Sequence, residues 1–80
     1  MPNVRRFAPE PGCLSDESVV LTVDEYETIR LIDRQGYSQE ECCTYMGVAR
    51  TTVQQIYNTA RKKVAYALVE GVALEIAGGD

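Results

Sequence analysis

Apolar positions along the chain switch between helical and strand spacing, and each switch marks an element. Val19, Val20 and Leu21 form a short apolar run. Thr22-Val-Asp-Glu25 then has the form of a capping box, in which the threonine oxygen and the glutamate three residues on satisfy free N–H groups at a helix start. Val23, Tyr26, Ile29 and Ile32 recur at helical spacing with Leu31 beside them, so the helix runs to about Gln35 and stops at Gly36. Glu27, Arg30 and Arg34 fall on its other side. Ser38-Gln-Glu-Glu41 repeats the capping box and opens a second helix that must end at Gly47, barely two turns later. A third helix starts near Ala49 or Arg50 and extends to Val69, ahead of Gly71. Val72, Leu74 and Ile76 then alternate with Ala73 and Glu75, the period of a short strand closed by Gly78-Gly79. Its simplest partner is the Val19–Leu21 run. Because an isolated two-stranded ribbon is marginal, the ribbon should pack on the helices.

These elements predict a mainly α fold: a three-helix helix-turn-helix domain over residues 19–80, with a short two-stranded β ribbon from its N- and C-terminal flanks. Residues 1–18, with Pro2, Pro9, Pro11, Gly12 and Ser15, lack periodicity and read as an irregular N-terminal arm. Arg5 and Arg6 in that arm either touch phosphates or are simply solvated.

The third helix has two unlike faces. At about 100° per residue, Val53, Ile56, Tyr57, Ala60, Val64 and Ala67 cluster within an arc of roughly 100°, while Arg50, Thr51, Gln54, Gln55, Asn58 and Lys62 span roughly 140° on the other side. Its last turns, VAYALV, are apolar all round and need cover from the ribbon or from a second subunit.

Charge sharpens this picture. The chain of 80 residues carries a net charge of −4, yet Cys42 to Val69 contain no acid and four bases, Arg50, Arg61, Lys62 and Lys63. Positive charge is thus confined to one stretch, which matters more for a nucleic-acid partner than the sum does. The rest of the composition narrows the function classes. Without histidine, and with carboxylates scattered through capping and surface positions, no catalytic constellation forms, so an enzyme is not expected. Three cysteines, Cys13, Cys42 and Cys43, cannot all pair; without histidine or a C-x-x-C spacing they predict reduced thiols, with neither a metal site nor a cofactor. No long apolar run or signal-peptide pattern is present, so a cytoplasmic location is expected and no membrane partner. A chain this short buries only about 60% of its unfolded surface, which makes a homodimer the expected state.

In a helix-turn-helix the second helix lays its N-terminal residues against base edges in the major groove. Arginine can bond guanine with two parallel donors, and glutamine or asparagine can match adenine the same way. Arg50, Gln54, Gln55 and Asn58 therefore suit base contact. Thr51, Thr52 and the first-turn amides suit phosphate, and Arg61, Lys62 and Lys63 would lie over the flanking backbone. The plain alternative is that this face is only solvated.

The segments LTVDEYETIRLID, SQEE, MGVAR and ARKKVAYALVEG carry a resemblance to domain-of-unknown-function family 134. These are small prokaryotic proteins whose helix-turn-helix is similar to region 4 of sigma-70 factors. The resemblance runs from about Val19 to Gly79 and implies a DNA-binding transcriptional regulator without enzymatic activity. Against the family pattern, Cys42 and Cys43 replace a usual alanine pair, Ala49 a usual capping serine, and Thr51 a usual proline. The alternative function is a protein–protein interaction module of the transcription machinery with little affinity for free DNA. It draws on the overall acidity, since each phosphate contact must form against a repulsive background.

Overall fold

Two capping boxes set the helical frame. In the computed structural model, residues 5–10 and 17–77 are described. Pro2, Pro11, Gly12, Cys13, Ser15 and the closing Gly78-Gly79 lie outside the described residues. Thr22 accepts from the Glu25 amide at 3.2 Å while the Glu25 carboxylate accepts from the Thr22 amide at 2.9 Å, opening α1 (Val23–Thr28). Ser38 and Glu41 repeat the exchange at 3.0 and 2.9 Å and open α2 (Gln39–Met46). The third helix, α3, spans Arg50–Glu70. Both α2 and α3 stop on a glycine in the left-handed conformation, Gly47 at φ 70° and Gly71 at φ 69°, a region that residues with a Cβ rarely enter.

The first helix does not run as regular α to its end. From Ile29 to Arg34 it widens into a π-helical segment that ends at Gln35. Its buried stripe is also displaced from the predicted one. Glu25, Thr28 and Leu31 are buried, whereas Tyr26, Ile29 and Ile32 are half-buried at the edges of two separate clusters. Widening to π spacing lets Leu31 and Ile32 both meet the cluster shared with α2 and α3. The buried Thr28 hydroxyl donates to the Glu25 carbonyl at 2.8 Å.

Among the described residues the flanks form three strands, not the predicted two. Strands β1 (Arg6–Phe7), β2 (Ser18–Thr22) and β3 (Ala73–Ala77) make a mixed sheet of order β1-β3-β2. The pairing of β2 with β3 matches the expected partnership and is parallel, in the register Val19↔Leu74 and Leu21↔Ile76. The helices between them supply the long crossover that a parallel pair requires. The correction is β1, which lies inside the supposed irregular arm and pairs antiparallel with β3 through Arg6↔Glu75 and Phe7↔Leu74. Two residues are too few to show a period, and it is the free edge of β3 that orders them. The result is a mainly helical domain of three helices and a small mixed sheet.

Two apolar clusters join the layers. Leu21, Ala60 and Ile76 tie the sheet to α3, flanked by Tyr26, Ile29, Val64 and Leu74. Leu31, Cys42 and Val53 tie the π segment to α2 and α3, flanked by Ile32, Tyr37, Cys43 and Met46.

Candidate nucleic-acid interface

The α2–α3 connection is short and closed by hydrogen bonds. Gly47 and Val48 both donate to the Cys43 carbonyl, at 2.9 and 3.2 Å, and only Ala49 then precedes the first residue of α3. Val53, fully buried, anchors the first turns of α3 against Cys42 and Leu31. That anchor turns the opposite side of the helix outward. Arg50, Thr51, Thr52, Gln54, Gln55, Asn58, Arg61 and Lys62 are all exposed, while Val53, Ala60 and Ala67 are buried and Ile56, Tyr57 and Val64 half-buried. The division into two arcs read from the sequence is therefore present in space.

The start of α3 is open. Ala49 has the extended backbone of a cap residue, at φ −68° and ψ 152°, but offers no side-chain acceptor to the first-turn amides. Those donors stand at the positive end of a 21-residue helix whose first residues, Arg50, Thr51 and Thr52, are exposed.

Two of the four cations are engaged within the chain. Lys63, expected over a DNA backbone, is engaged within the chain: its ammonium donates to Glu25 Oε1 and to the Val20 carbonyl, both at 2.8 Å. It stands at the flank of the polar arc, where its stem runs across to α1 and the edge of β2. Burial pulls the Glu25 carboxyl upward, but the bonds from Lys63 and Thr22 outweigh it and hold the group below its ordinary value. Arg61 lies over the Tyr57 ring at 5.5 Å, with its Nε 3.6 Å from Asp33 Oδ2. The Tyr57 hydroxyl donates to Asp33 Oδ1 at 2.6 Å, and this bond, with burial, pushes the phenol upward. A face free of acids in sequence thus has one carboxylate at its edge, brought from the π segment 24 residues earlier. No local pattern marks Asp33. Among the described residues Arg50 and Lys62 have no ion pair.

The model of the family described as Protein of unknown function DUF134 matches residues 1–80. The chain belongs to the DUF134 family. It is 56% identical over 81 residues to a UPF0251 protein of Desulfitobacterium hafniense (strain Y51), covering all of this chain and 65% of that protein. It is 51% identical over 81 residues to one from Thermoanaerobacter sp. (strain X514), covering 99% of this chain and 71% of the relative. A Moorella thermoacetica relative is 49% identical over 80 residues, with 99% and 54% covered. The chain therefore spans about two thirds of the length of the first of these curated relatives. No solved structure matches it.

In this DUF134 domain the cysteine pair fills the contact between α2 and its neighbours. Cys42 is fully buried with its Sγ 3.6 Å from Met46 Sδ, and Cys43 is half-buried and directed to the Glu40 carbonyl at 3.1 Å. Burial, then the neighbouring Cys43 and Glu27, push the Cys42 thiol upward, so it stays protonated near neutral pH. Among the described residues no three Cys, Asp or Glu side chains gather as metal ligands, and no helix is long and apolar enough to cross a membrane.

Proposed function

We propose that this protein binds double-stranded DNA sequence-specifically as a transcriptional regulator, with α2 and α3 acting as a helix-turn-helix and α3 as the reading helix. The observation that carries the reading is the outer face of α3: an uncapped, exposed N-terminus, then arginine, threonine, glutamine and asparagine side chains, none engaged by an acid before Arg61. Arg50 reads guanine, while Gln54, Gln55 and Asn58 match adenine edges. Thr51, Thr52 and the first-turn amides hold phosphate, and Lys62 lies over the flanking backbone. Arg61 reaches phosphate only by exchanging its contact with Asp33. The small left-handed turn at Gly47 and the Leu31–Cys42–Val53 cluster fit the way such motifs fix two helices against one another. Two copies then read half-sites about one helical turn, ~34–36 Å, apart. The protein acts in the cytoplasm and without catalysis, cofactor or metal.

The pairing of Lys63 and Arg61 favours a second reading, because it reduces the positive charge available to DNA. In that reading the domain docks on a protein of the transcription machinery and has little affinity for free DNA. Fluorescence anisotropy with a randomised duplex pool, followed by selection of the bound fraction, separates the two. For DNA binding by a dimer in which Lys62 of each copy neutralises one phosphate, log K should fall against log salt with a slope of about −2. A folded protein that retains no duplex at low salt would refute it.

A further inference from the structure

We propose that Asp33 is a restraining residue of the α3 face: it neutralises Arg61 and so withholds one phosphate contact per copy, lowering affinity for every duplex alike. This rests on the reading of α3 as the surface that meets DNA, and adds what limits the strength of that contact. Asp33 reaches the face from the π segment. Its Oδ1 accepts from the Tyr57 hydroxyl at 2.6 Å, and its Oδ2 stands 3.6 Å from Arg61 Nε. The guanidinium lies over the ring of the same tyrosine, 5.5 Å from its centre. Tyr57 thus holds both partners, the acid through its hydroxyl and the base through its ring.

The double hold matters because an isolated exposed ion pair contributes little: two free side chains lose entropy in meeting. Here the Arg61 and Asp33 side chains are 63% and 37% exposed, yet Tyr57 already orients each of them. The bond to the carboxylate also pushes the Tyr57 phenol upward, so the anchoring donor keeps its proton at neutral pH. Charge decides the consequence. An arginine paired with an acid presents no net charge to a nucleic-acid backbone. When a phosphate takes the guanidinium away, the carboxylate is left beside the duplex and repels it. In both cases the gain from Arg61 is largely cancelled. The base-reading positions Arg50, Gln54, Gln55 and Asn58 precede Arg61 along α3 and have no contact with Asp33 in the cluster. The restraint therefore falls on the sequence-independent part of binding.

Salt titration of duplex binding by fluorescence anisotropy tests this, since the slope of log K against log salt counts the phosphates that cations neutralise. Asp33→Asn frees Arg61 and should steepen the slope of a dimer from about −2 to about −4. Near 0.15 M salt the gain should be about fivefold in affinity per copy, equal for matched and scrambled duplexes. Asparagine keeps an oxygen for the Tyr57 hydroxyl, so the circular dichroism spectrum should not change. In an Arg61→Gln background the same substitution should leave the slope near −2, because no cation is there to release. Asp24→Asn makes the same change in net charge from the first turn of α1 and should also leave the slope near −2. A slope indifferent to Asp33→Asn would overturn the proposal. So would a steepening that persists without Arg61, or one that Asp24→Asn reproduces. A gain limited to particular base pairs would overturn it too, by making Asp33 a reader of bases. Failure of the DNA reading looks different: folded wild type and Asp33→Asn then both retain no duplex, which overturns the two together.

Discussion

Glu25, though buried, does two things at once: it completes the cap of α1 and holds Lys63. The cap was legible in Thr22-x-x-Glu25, because its partners are three residues apart. The ion pair was not, because its partners are separated by 38 residues and neither leaves a local signal. Its consequence for pH follows from the sign of the shift. Folding lowers the Glu25 pKa, so the stabilisation is fully present above the ordinary value of 4.5 and is lost as pH falls through the lower folded value. The thermal midpoint of the wild type should accordingly drop below about pH 4.5. Lys63→Met strands a buried carboxylate and should cost about 1–3 kcal/mol at neutral pH, with Lys63 itself about a third exposed. In that variant the acid limb should flatten, since protonation then relieves the penalty; urea melts at two pH values measure both effects. Cys42 makes a further residue-scale prediction. With its thiol buried and kept protonated, it should react with an aromatic disulfide reagent only at the rate of unfolding, while Cys43 reacts in the native state. Equal rates for the two would contradict the packing described for α2.

At the scale of elements, what could be read depended on whether a local rule controls the outcome. Both capping boxes, the stops at Gly47 and Gly71 and the two faces of α3 follow from residues within one or two turns, and all are present. The π segment and β1 depend on what lies across from them. Leu31 is innermost because α2 and α3 approach from its side, and Arg6–Phe7 form a strand because β3 has a free edge. The missing cap on α3 was legible as Ala49 and can be tested by restoring it. Ala49→Ser should raise stability by about 1 kcal/mol. For a domain of this size that is roughly 4–8 °C in the thermal midpoint by circular dichroism. No change would mean that the first-turn amides already have acceptors. In the second cluster, Val53→Ala removes two methyl groups from a site with no exposure and should cost about 1–3 kcal/mol in a denaturant melt, loosening the joint between α2 and α3. A cost near zero would mean that the joint is not held by packing.

For the whole molecule, the net charge of −4 and the exposed face of α3 act together. Acid elsewhere discourages indiscriminate contact with nucleic acid, so under the proposed function contact with DNA is confined to this one surface. The sequence pattern pointed to that surface but overstated its charge, because Asp33 and Glu25 reach Arg61 and Lys63 from elements distant in the chain. Replacing Gln54 or Arg50 by alanine should cost about 1–3 kcal/mol of affinity and relax base preference, whereas Lys62→Ala should weaken all duplexes alike. Competition assays with point-mutated duplexes distinguish the two patterns. The central claim is that the outer face of α3 is the surface that meets DNA, and the most direct test is amide chemical-shift mapping during titration with a selected duplex. The account predicts that the shifted amides concentrate at Arg50, Thr51, Thr52, Gln54, Gln55, Asn58 and Lys62, and that the shifts vanish at high salt. Shifts confined to the outer face of α2 would contradict it.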